Sequence, residues 1–393
     1  MKVAAVSNKN VLITGGAGFI GTRVSKRLLQ IGCSVRILDN FSPQVHAQNA
    51  LDAELDGRVE LLEGDVRDRA LLESALNGIE VIIHLAADTG TGQSMYEISR
   101  YFDVNVQSTA NLLHLVQNYA GASQVRTLVV ASSRAVYGEG PYRCASHGVV
   151  YPAERSNTRM EMGQFDPVCP VCEGRLTMLA VPEDAPFSPT SIYGLTKQVQ
   201  EQSVLMVARA RGLNAFGLRY QNVYGPGQSL KNPYTGIMAI FANLARQGRP
   251  IDIYEDGAES RDFVYIDDVV EATVRAALYS GSYVGALNVG SGEATSVLQV
   301  AKAIIQFFES SSTLTVSGRF RIGDIRHNVA EMSEVQRVLG YEPHVRFSDG
   351  ILQFLKWVAT QPLEDQRAYV RAAQELETKG LMLTSKTGQR QHV

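Results

Sequence analysis

Residues Val11-Leu12-Ile13-Thr14-Gly15-Gly16-Ala17-Gly18-Phe19-Ile20-Gly21 form a short apolar run that breaks into glycines spaced G-x-x-G-x-x-G. A buried strand that halts at such a turn and opens a helix points backbone N–H groups, and the positive end of the helix dipole, at a diphosphate. Glycine spacing alone matches many turns, so the flanking pattern decides. Arg23 to Ile31 reads as a helix with Val24, Leu28 and Ile31 on one face, and Val35 to Leu38 reads as a second strand ending in Asp39. Asp39 stands eighteen residues beyond Gly21, where a carboxylate accepts ribose hydroxyls and repels a 2′-phosphate. The reading is a dinucleotide site that takes NAD in preference to NADP.

Apolar runs and helical periods keep alternating. Val59–Leu62, Val81–Leu85 and Thr127–Ala131 read as buried strands, with Leu71–Leu76 and Val104–Val116 as helices between them. This is the pattern of a Rossmann-type, doubly wound parallel α/β sheet. Ligands of such sheets lie beyond the carboxyl ends of the strands, here Asp39, Asp65-Val66, Leu85-Ala86-Ala87 and Ser132-Ser133. Ile192–Arg211 reads as a long amphipathic helix and Ala215–Arg219 as a strand. A chain of 393 residues exceeds one typical core. The expected division is a nucleotide domain over 1–220 and a smaller, mainly substrate-binding α/β domain over 221–362, with short elements such as Ile251–Tyr254 and Leu287–Val289. Residues 363–393 read as a polar tail, disordered from Ser385 to Val393.

The formal charge of −3 with scattered lysine and arginine leaves no basic stripe for nucleic acid. A run of about 18 apolar residues is absent, and Met1 to Asn10 lacks a signal-peptide core, so a cytoplasmic protein without membrane partners is expected. The ligand is then a small molecule.

Residues 139–186 break the periodicity and read as an insertion. Within it, Cys144-Ala145-Ser146-His147 and Cys169-Pro170-Val171-Cys172 are two knuckles separated by twenty-one residues, with Gly174 supplying a turn after the second. Three thiolates and one imidazole make a closed tetrahedral set for structural zinc, with no position left for a catalytic water. The small ribbon-like unit would act as a lid or a dimer contact. The alternative is a loop of reduced, unliganded thiols. Cys33 reads as a packed core thiol.

Tyr193 and Lys197 are four apart and share a helix face. A cation there, together with an oxidised nicotinamide, would lower the phenol from its free value of about 10 and make it a usable acid/base. Ser133, at a strand end, could reach the same substrate hydroxyl. The segment Asp88 to Tyr96 follows the nicotinamide-side strand, so the polar tips of Thr89 and Gln93 are expected to border the substrate.

The chain resembles the extended short-chain dehydrogenase/reductases of the sugar-nucleotide epimerase/dehydratase group. The likeness rests on T-G-G-A-G-F-I-G at Thr14–Gly21, G-D-V at Gly64–Val66, H-L-A-A at His84–Ala87, S-S-x-x-V-Y-G at Ser132–Gly138 and Y-x-x-x-K at Tyr193–Lys197. It continues through R-Y-x-N-V-Y-G-P at Arg219–Pro226, R-D-F-V-Y-I-D-D at Arg261–Asp268, N-V-G-S-G at Asn288–Gly292 and G-D-I-R-H at Gly323–His327. The resemblance implies bound NAD, with Gly15, Gly18, Phe19, Ile20 and Gly21 on its diphosphate and Asp65 and Val66 at adenine. It places Ala86 and Asn105 near the ribose and nicotinamide, and makes Asn40, Leu85, Ala87 and Tyr220 further contacts. Ser133, Tyr193 and Lys197 become the catalytic set. Asn222, Arg261, Arg321 and Asp324 face a nucleotide-sugar substrate, whose diphosphate suits guanidinium forks. His327 and Arg326 match more weakly and also suit a domain interface.

Dehydratases of this group carry an Asp-Glu pair where this chain has Arg134 and Ala135, so 4-epimerisation by transient oxidation is expected rather than loss of water. The Asp88–Tyr96 segment and the insertion resemble those of dTDP-L-rhamnose 4-epimerases, which make dTDP-6-deoxy-L-talose. The alternatives are a UDP-hexose or UDP-uronate 4-epimerase and, from another class, a non-catalytic NAD-binding interaction protein. Homodimerisation through the helices around Tyr101–Tyr119 and Ile192–Arg211 is a further implication of the resemblance.

Overall fold

The computed structural model describes residues 8–46, 50–232, 234, 236–365, 367–386 and 391–392. Its centre is a parallel sheet of seven strands in the spatial order Val284–Val289, Asn214–Tyr220, Thr127–Ser133, Val81–His84, Asn10–Thr14, Ser34–Asp39, Glu60–Glu63. The sheet is covered on both faces, which explains the continuous apolar runs. Val11 and Ile13 enter one core and Leu12 the other; Val81 and Ile83 part from Ile82 in the same way. The strand order reverses beside Asn10–Thr14, whose neighbours are Ser34–Asp39 and Val81–His84. A crevice opens at such a reversal, beyond the carboxyl ends of the strands.

Leu287–Val289, expected in the second domain, is part of the longer strand Val284–Val289. That strand instead completes the main sheet, with Leu287 paired to Leu218. Leu287 and Val289 are fully buried, and only the main sheet offers them a covered edge. The second lobe is built from the helices Ile237–Arg246, Val297–Phe307 and Phe347–Thr360 and from short strands. In one group Ser260–Tyr265 pairs in parallel with Asn222–Tyr224 and antiparallel with Ala294–Ser296. In another, Ile251–Ile253 pairs with Leu314–Val316.

The cysteine-rich insertion is a three-stranded antiparallel ribbon, Gly148–Val150, Tyr142–Cys144 and Leu176–Met178. Its own core holds only Tyr142, Cys144, Val150 and Cys169, with Leu176 and Met178 packed against it. So small a cluster does not stabilise a fold unaided.

The carboxyl-terminal segment differs from the polar tail expected. Arg367–Thr378 is a helix that buries Ala372 and Leu376, and Met382–Thr384 pairs antiparallel with Arg319–Arg321. One apolar pair at i and i+4 is enough to dock it. Ser385 N–H donates to the Gly318 carbonyl and Lys386 N–H to that of Glu161, and Gln391–His392 pairs with Thr315–Val316. Residues 387–390 and 393 of the segment expected to be disordered, and residues 1–7 of the stretch read for a signal sequence, lie outside the described residues. No helix among the described residues is long and apolar enough to cross a membrane.

Candidate active site

The glycine turn is set by two close approaches. Gly15 has φ +70°, and a Cβ there would stand 2.8 Å from the Ala86 backbone nitrogen; at Gly21 it would stand 2.4 Å from the Gly15 carbonyl oxygen. The first brings the turn against the neighbouring strand and the second seats the helix Phe19–Gln30 on it. Asp39, at the end of its strand, accepts the Ala17 N–H at 2.9 Å and the Phe41 N–H at 2.9 Å, which leaves lone pairs for a diol. Asn40 donates to Asp65 at 3.0 Å, and Arg67 grips Asp65 through two nitrogens. Hydrogen bonds from Arg67 hold the Asp65 carboxyl down at about 2. Val66 beside it is buried.

The catalytic residues meet because the helix Ile192–Arg211, capped by the Ser191 hydroxyl on Gly194 N–H, lies hard against the turn after Ser133. A Cβ on Gly194 would be 2.5 Å from the Ala135 carbonyl. Tyr193 is half-buried and lines the cavity. Burial raises its phenol above the ordinary value, and the hydrogen bond with Ser133 and the charge of Arg134 partly offset this. Lys197 donates to the Ala131 carbonyl at 2.9 Å and lies 6.0 Å from the Tyr193 ring centroid. Burial brings its ammonium down to about 7. The charge of Arg134 thus joins that of Lys197, the cation expected from the sequence, beside the phenol.

A cavity of about 490 Å³ runs from the glycine turn past these groups into the second lobe. It is lined by Gly15, Gly18, Phe19, Ile20, Gly21, Leu85, Ala87, Thr89, Ser133, Tyr193, Lys197, Tyr220 and Asn222, and further on by Arg261, Arg321 and Asp324. Arg261 gives Nη2 to Asp324 Oδ1 at 2.9 Å, not to Asp262. Asp262 is spent on the Ser291, Gly292 and Ala330 N–H groups. Burial opposes ionisation of Asp324, but Arg261, Arg321, Arg134 and Arg155 hold its carboxyl below the usual range. Arg321 lies over the Tyr254 ring at 5.3 Å and its buried Nε is unbonded.

Three sequence expectations meet different partners. Asn105 lies on a π-turn, Phe102–Gln107, and spends its amide on both backbone groups of Asp88 and on Thr196; it holds the loop rather than facing the cavity. Gln93 is buried against Gln44 and Tyr101, because the helical turn Thr91–Ser94 rotates it inward. Ala86 presents its backbone to Gly15. His327 bonds Ser260 at 2.8 Å, and Arg326 pairs with Asp166, Glu255 and Asp256, so both serve the interface. Residues that the sequence reading did not place in the cavity are Arg134, Glu255, Glu259, Tyr369 and Leu376. For Arg134 the signal was its position directly after Ser133; for the last two, the helical spacing of Tyr369, Ala372 and Leu376 (i, i+3, i+7).

In the insertion, Cys144 Sγ is 3.5 Å from His147 Nδ1 and 3.7 Å from Cys172 Sγ, and Cys169 Sγ is 3.6 Å from His147 Nδ1. All four ligand atoms lie within 4.8 Å of one another. Bond lengths to tetrahedral zinc give sulfur–sulfur edges of about 3.8 Å and sulfur–nitrogen edges of about 3.6 Å. A disulfide would need about 2.05 Å.

Residues 11–154 and 177–290 match the NAD dependent epimerase/dehydratase family. The chain belongs to that family. The unmatched stretch between the two parts, residues 155–176, is the middle of the cysteine-rich insertion and carries Cys169 and Cys172. A dTDP-L-rhamnose 4-epimerase of Burkholderia thailandensis is 40% identical over 364 residues, 92% of this chain and 98% of that protein. Among solved structures, UDP-glucose 4-epimerase of Thermotoga maritima with UDP-glucose superposes with TM-score 0.71 at 27% identity, covering 89% of this chain and 98% of that one. UDP-glucuronic acid 4-epimerase of Bacillus cereus, in complex with UDP-glucuronic acid and NAD, gives 0.71 at 25% identity, covering 89% and 99%.

Proposed function

We propose that this protein is an NAD-dependent nucleotide-sugar 4-epimerase, an isomerase that interconverts dTDP-L-rhamnose and dTDP-6-deoxy-L-talose. The observation that carries the reading is a single cavity joining the glycine turn, the Ser133–Tyr193 pair and the Arg261, Arg321 and Asp324 cluster. At its centre, Arg134 and Ala135 stand where elimination of water needs an acid and a base.

The cradle fits NAD: the turn at Gly15 leaves no side chain between the strand end and the helix start, and Asp39 accepts a ribose diol. When bound, NAD supplies a reversible hydride acceptor beside C4 of the sugar. Tyr193 takes the proton of the sugar 4-hydroxyl and later returns it, with Ser133 sharing the hydrogen bond. Arg261 and Arg321 hold the diphosphate while the planar 4-keto sugar turns its other face, so that remote binding energy keeps the intermediate in place. Asp324, ionised by its arginines, suits a ribose or sugar hydroxyl. Thr89 borders the sugar.

Zinc at Cys144, His147, Cys169 and Cys172 would fold the insertion and has no open position for chemistry. A cytoplasmic homodimer is part of the proposal. It is supported by the exposed apolar residues Ile98 and Phe102 on one helical stretch and Leu195 and Met206 on another.

Proton NMR of dTDP-L-rhamnose incubated with the purified protein and no added reductant tests the reading. Conversion to a two-sugar equilibrium, with the large H4 couplings collapsing to small ones, establishes it. The second reading, a UDP-uronate or UDP-hexose 4-epimerase, is favoured by one observation, the free cation of Arg134 in the sugar region, and predicts that only the UDP sugars react.

A further inference from the structure

Arg134 begins the turn that follows the catalytic strand, and its guanidinium lies inside the cavity between Tyr193 and the Arg261–Asp324 pair. Its only side-chain hydrogen bond among the described residues is from Nε to Asn222 Oδ1, at 2.7 Å. Most other arginines of this region spend their terminal nitrogens on protein partners. Arg155 and Arg326 bind Glu255, Arg219 binds Glu201, and Arg261 binds Asp324 and three carbonyls. Arg134 and Arg321 face the cavity with their terminal nitrogens unbonded among the described residues; Arg321 lies over the Tyr254 ring, and Arg134 is the one next to Ser133 and Tyr193.

Enclosing a cation with no carboxylate in bonding contact is costly, even with Asp324 nearby. The arrangement persists where a ligand delivers the anion. Asn222 fixes the inner edge of the guanidinium and leaves the outer edge, with its two NH₂ groups, as a fork for phosphate oxygens. The sugar proposed above is neutral, so the anion that reaches this depth is the phosphate joined to the sugar.

We infer that Arg134 is a substrate-binding residue that grips the sugar-linked β-phosphate. It thereby pins the pivot about which the 4-keto sugar turns. This rests on the nucleotide-sugar reading above. Arg261 and Arg321 line the same cavity, and Arg134 is the guanidinium beside Tyr193 and so beside the reacting carbon. The same cation lowers the proton affinity of Tyr193, so phosphate binding and the acid/base step share a residue.

The test compares a nucleoside diphosphate with its monophosphate, which lacks the β-phosphate. Dissociation constants of dTDP and dTMP are measured by calorimetry for the NAD-loaded wild type, Arg134→Met and Arg134→Lys. In Arg134→Met, dTDP should weaken on the order of 10- to 100-fold, the worth of a charged hydrogen bond, with dTMP changed by less than about twofold. Arg134→Lys should recover part of the loss. The ligand-free melting temperature of Arg134→Met should be at or above that of the wild type, because no ion pair is broken; a clear fall would point to a structural role and overturn the proposal. Equal weakening of both nucleotides, or of neither, would also overturn it. So would an effect confined to UDP-uronates, which would assign the cation to a carboxylate. Failure of the rhamnose reading looks different: the wild type itself would bind both thymidine nucleotides poorly, and UDP and UMP would carry the same comparison.

Discussion

The Lys197 ammonium lies 6.0 Å from the centroid of the Tyr193 ring and gives its hydrogen bond to the Ala131 carbonyl. It is therefore a buried amine without a carboxylate partner, brought down to about 7 by desolvation. Between that value and the unfolded one of about 10.5, the unfolded chain binds the extra proton, so stability rises with pH across this window. Lys197→Met removes the penalty. Calorimetry on the NAD-free protein should show it melting higher than wild type by roughly 5 °C or more at pH 6, with the gap closing towards pH 10. A gap that does not change with pH would exclude an ionisable origin. Tyr193→Phe, which removes only the proton carrier, should lower kcat by about 10²–10⁴-fold with little change in KM.

A second buried charge is structural. Arg219, on the strand Asn214–Tyr220, makes two bonds to Glu201 of the catalytic helix at 2.7 and 2.9 Å and lies between the rings of Tyr137 and Phe187. Glu201 also takes the Ser132 hydroxyl at 2.5 Å. Arg219→Met strands that carboxylate in the core and should cost about 3–5 kcal/mol by denaturant unfolding. Adding Glu201→Leu should return much of the loss, since the second change removes the unpaired charge. No recovery in the double variant would show that ring packing, not the pair, carries the energy.

What the sequence made legible is local and periodic. The glycine turn, the apolar strands and the helix Ile192–Arg211, whose structural bounds are those read from the sequence, follow from spacing alone, and the knuckle residues converge as their pattern suggested. Partnerships between distant residues were not legible. Nothing near Asn105 foretells the π-turn that aims its amide at Asp88 and Thr196. Nothing near Val284 names the strand edge at Ala215 that it meets. Arg134 was noticed for what it replaced. That no carboxylate among the described residues bonds it appears only when the cavity walls are assembled around it.

The insertion gives a prediction about metal. Arg155 leaves the ribbon to bind Glu139, Glu255 and the Asp324 carbonyl, the last at 2.9 Å, so the knuckles brace one wall of the substrate cavity. Metal analysis of protein purified without chelator should find one zinc per chain. Cys169→Ser should abolish it at a cost of more than about 4 kcal/mol in local stability, the range typical of lost metal sites. The NAD content should be retained, because no residue of the insertion lines the cavity at the glycine turn, while KM for the nucleotide sugar rises. Loss of NAD together with zinc would mean that the insertion supports the whole fold.

The last prediction concerns the strap Arg367–Thr384. Its helix crosses the cavity mouth, where Leu376 approaches Gly92 and the Glu375 carboxylate takes the hydroxyls of Tyr96 at 2.8 Å and Tyr234 at 3.3 Å, and its end pairs with Arg319–Arg321. Tyr369 and Leu376 line the cavity from above. The strap buries few side chains, Ala372, Leu376 and Met382 among them, so its docking is separable from global folding. Leu376→Ala should remove about 2–3 kcal/mol of that docking. The effect should appear as faster hydrogen exchange confined to residues 367–384 and as a KM for the nucleotide sugar raised on the order of tenfold, with the global melting temperature nearly unchanged. A fall in global stability without faster local exchange would make the strap part of the core, and an unchanged KM would remove it from the substrate site.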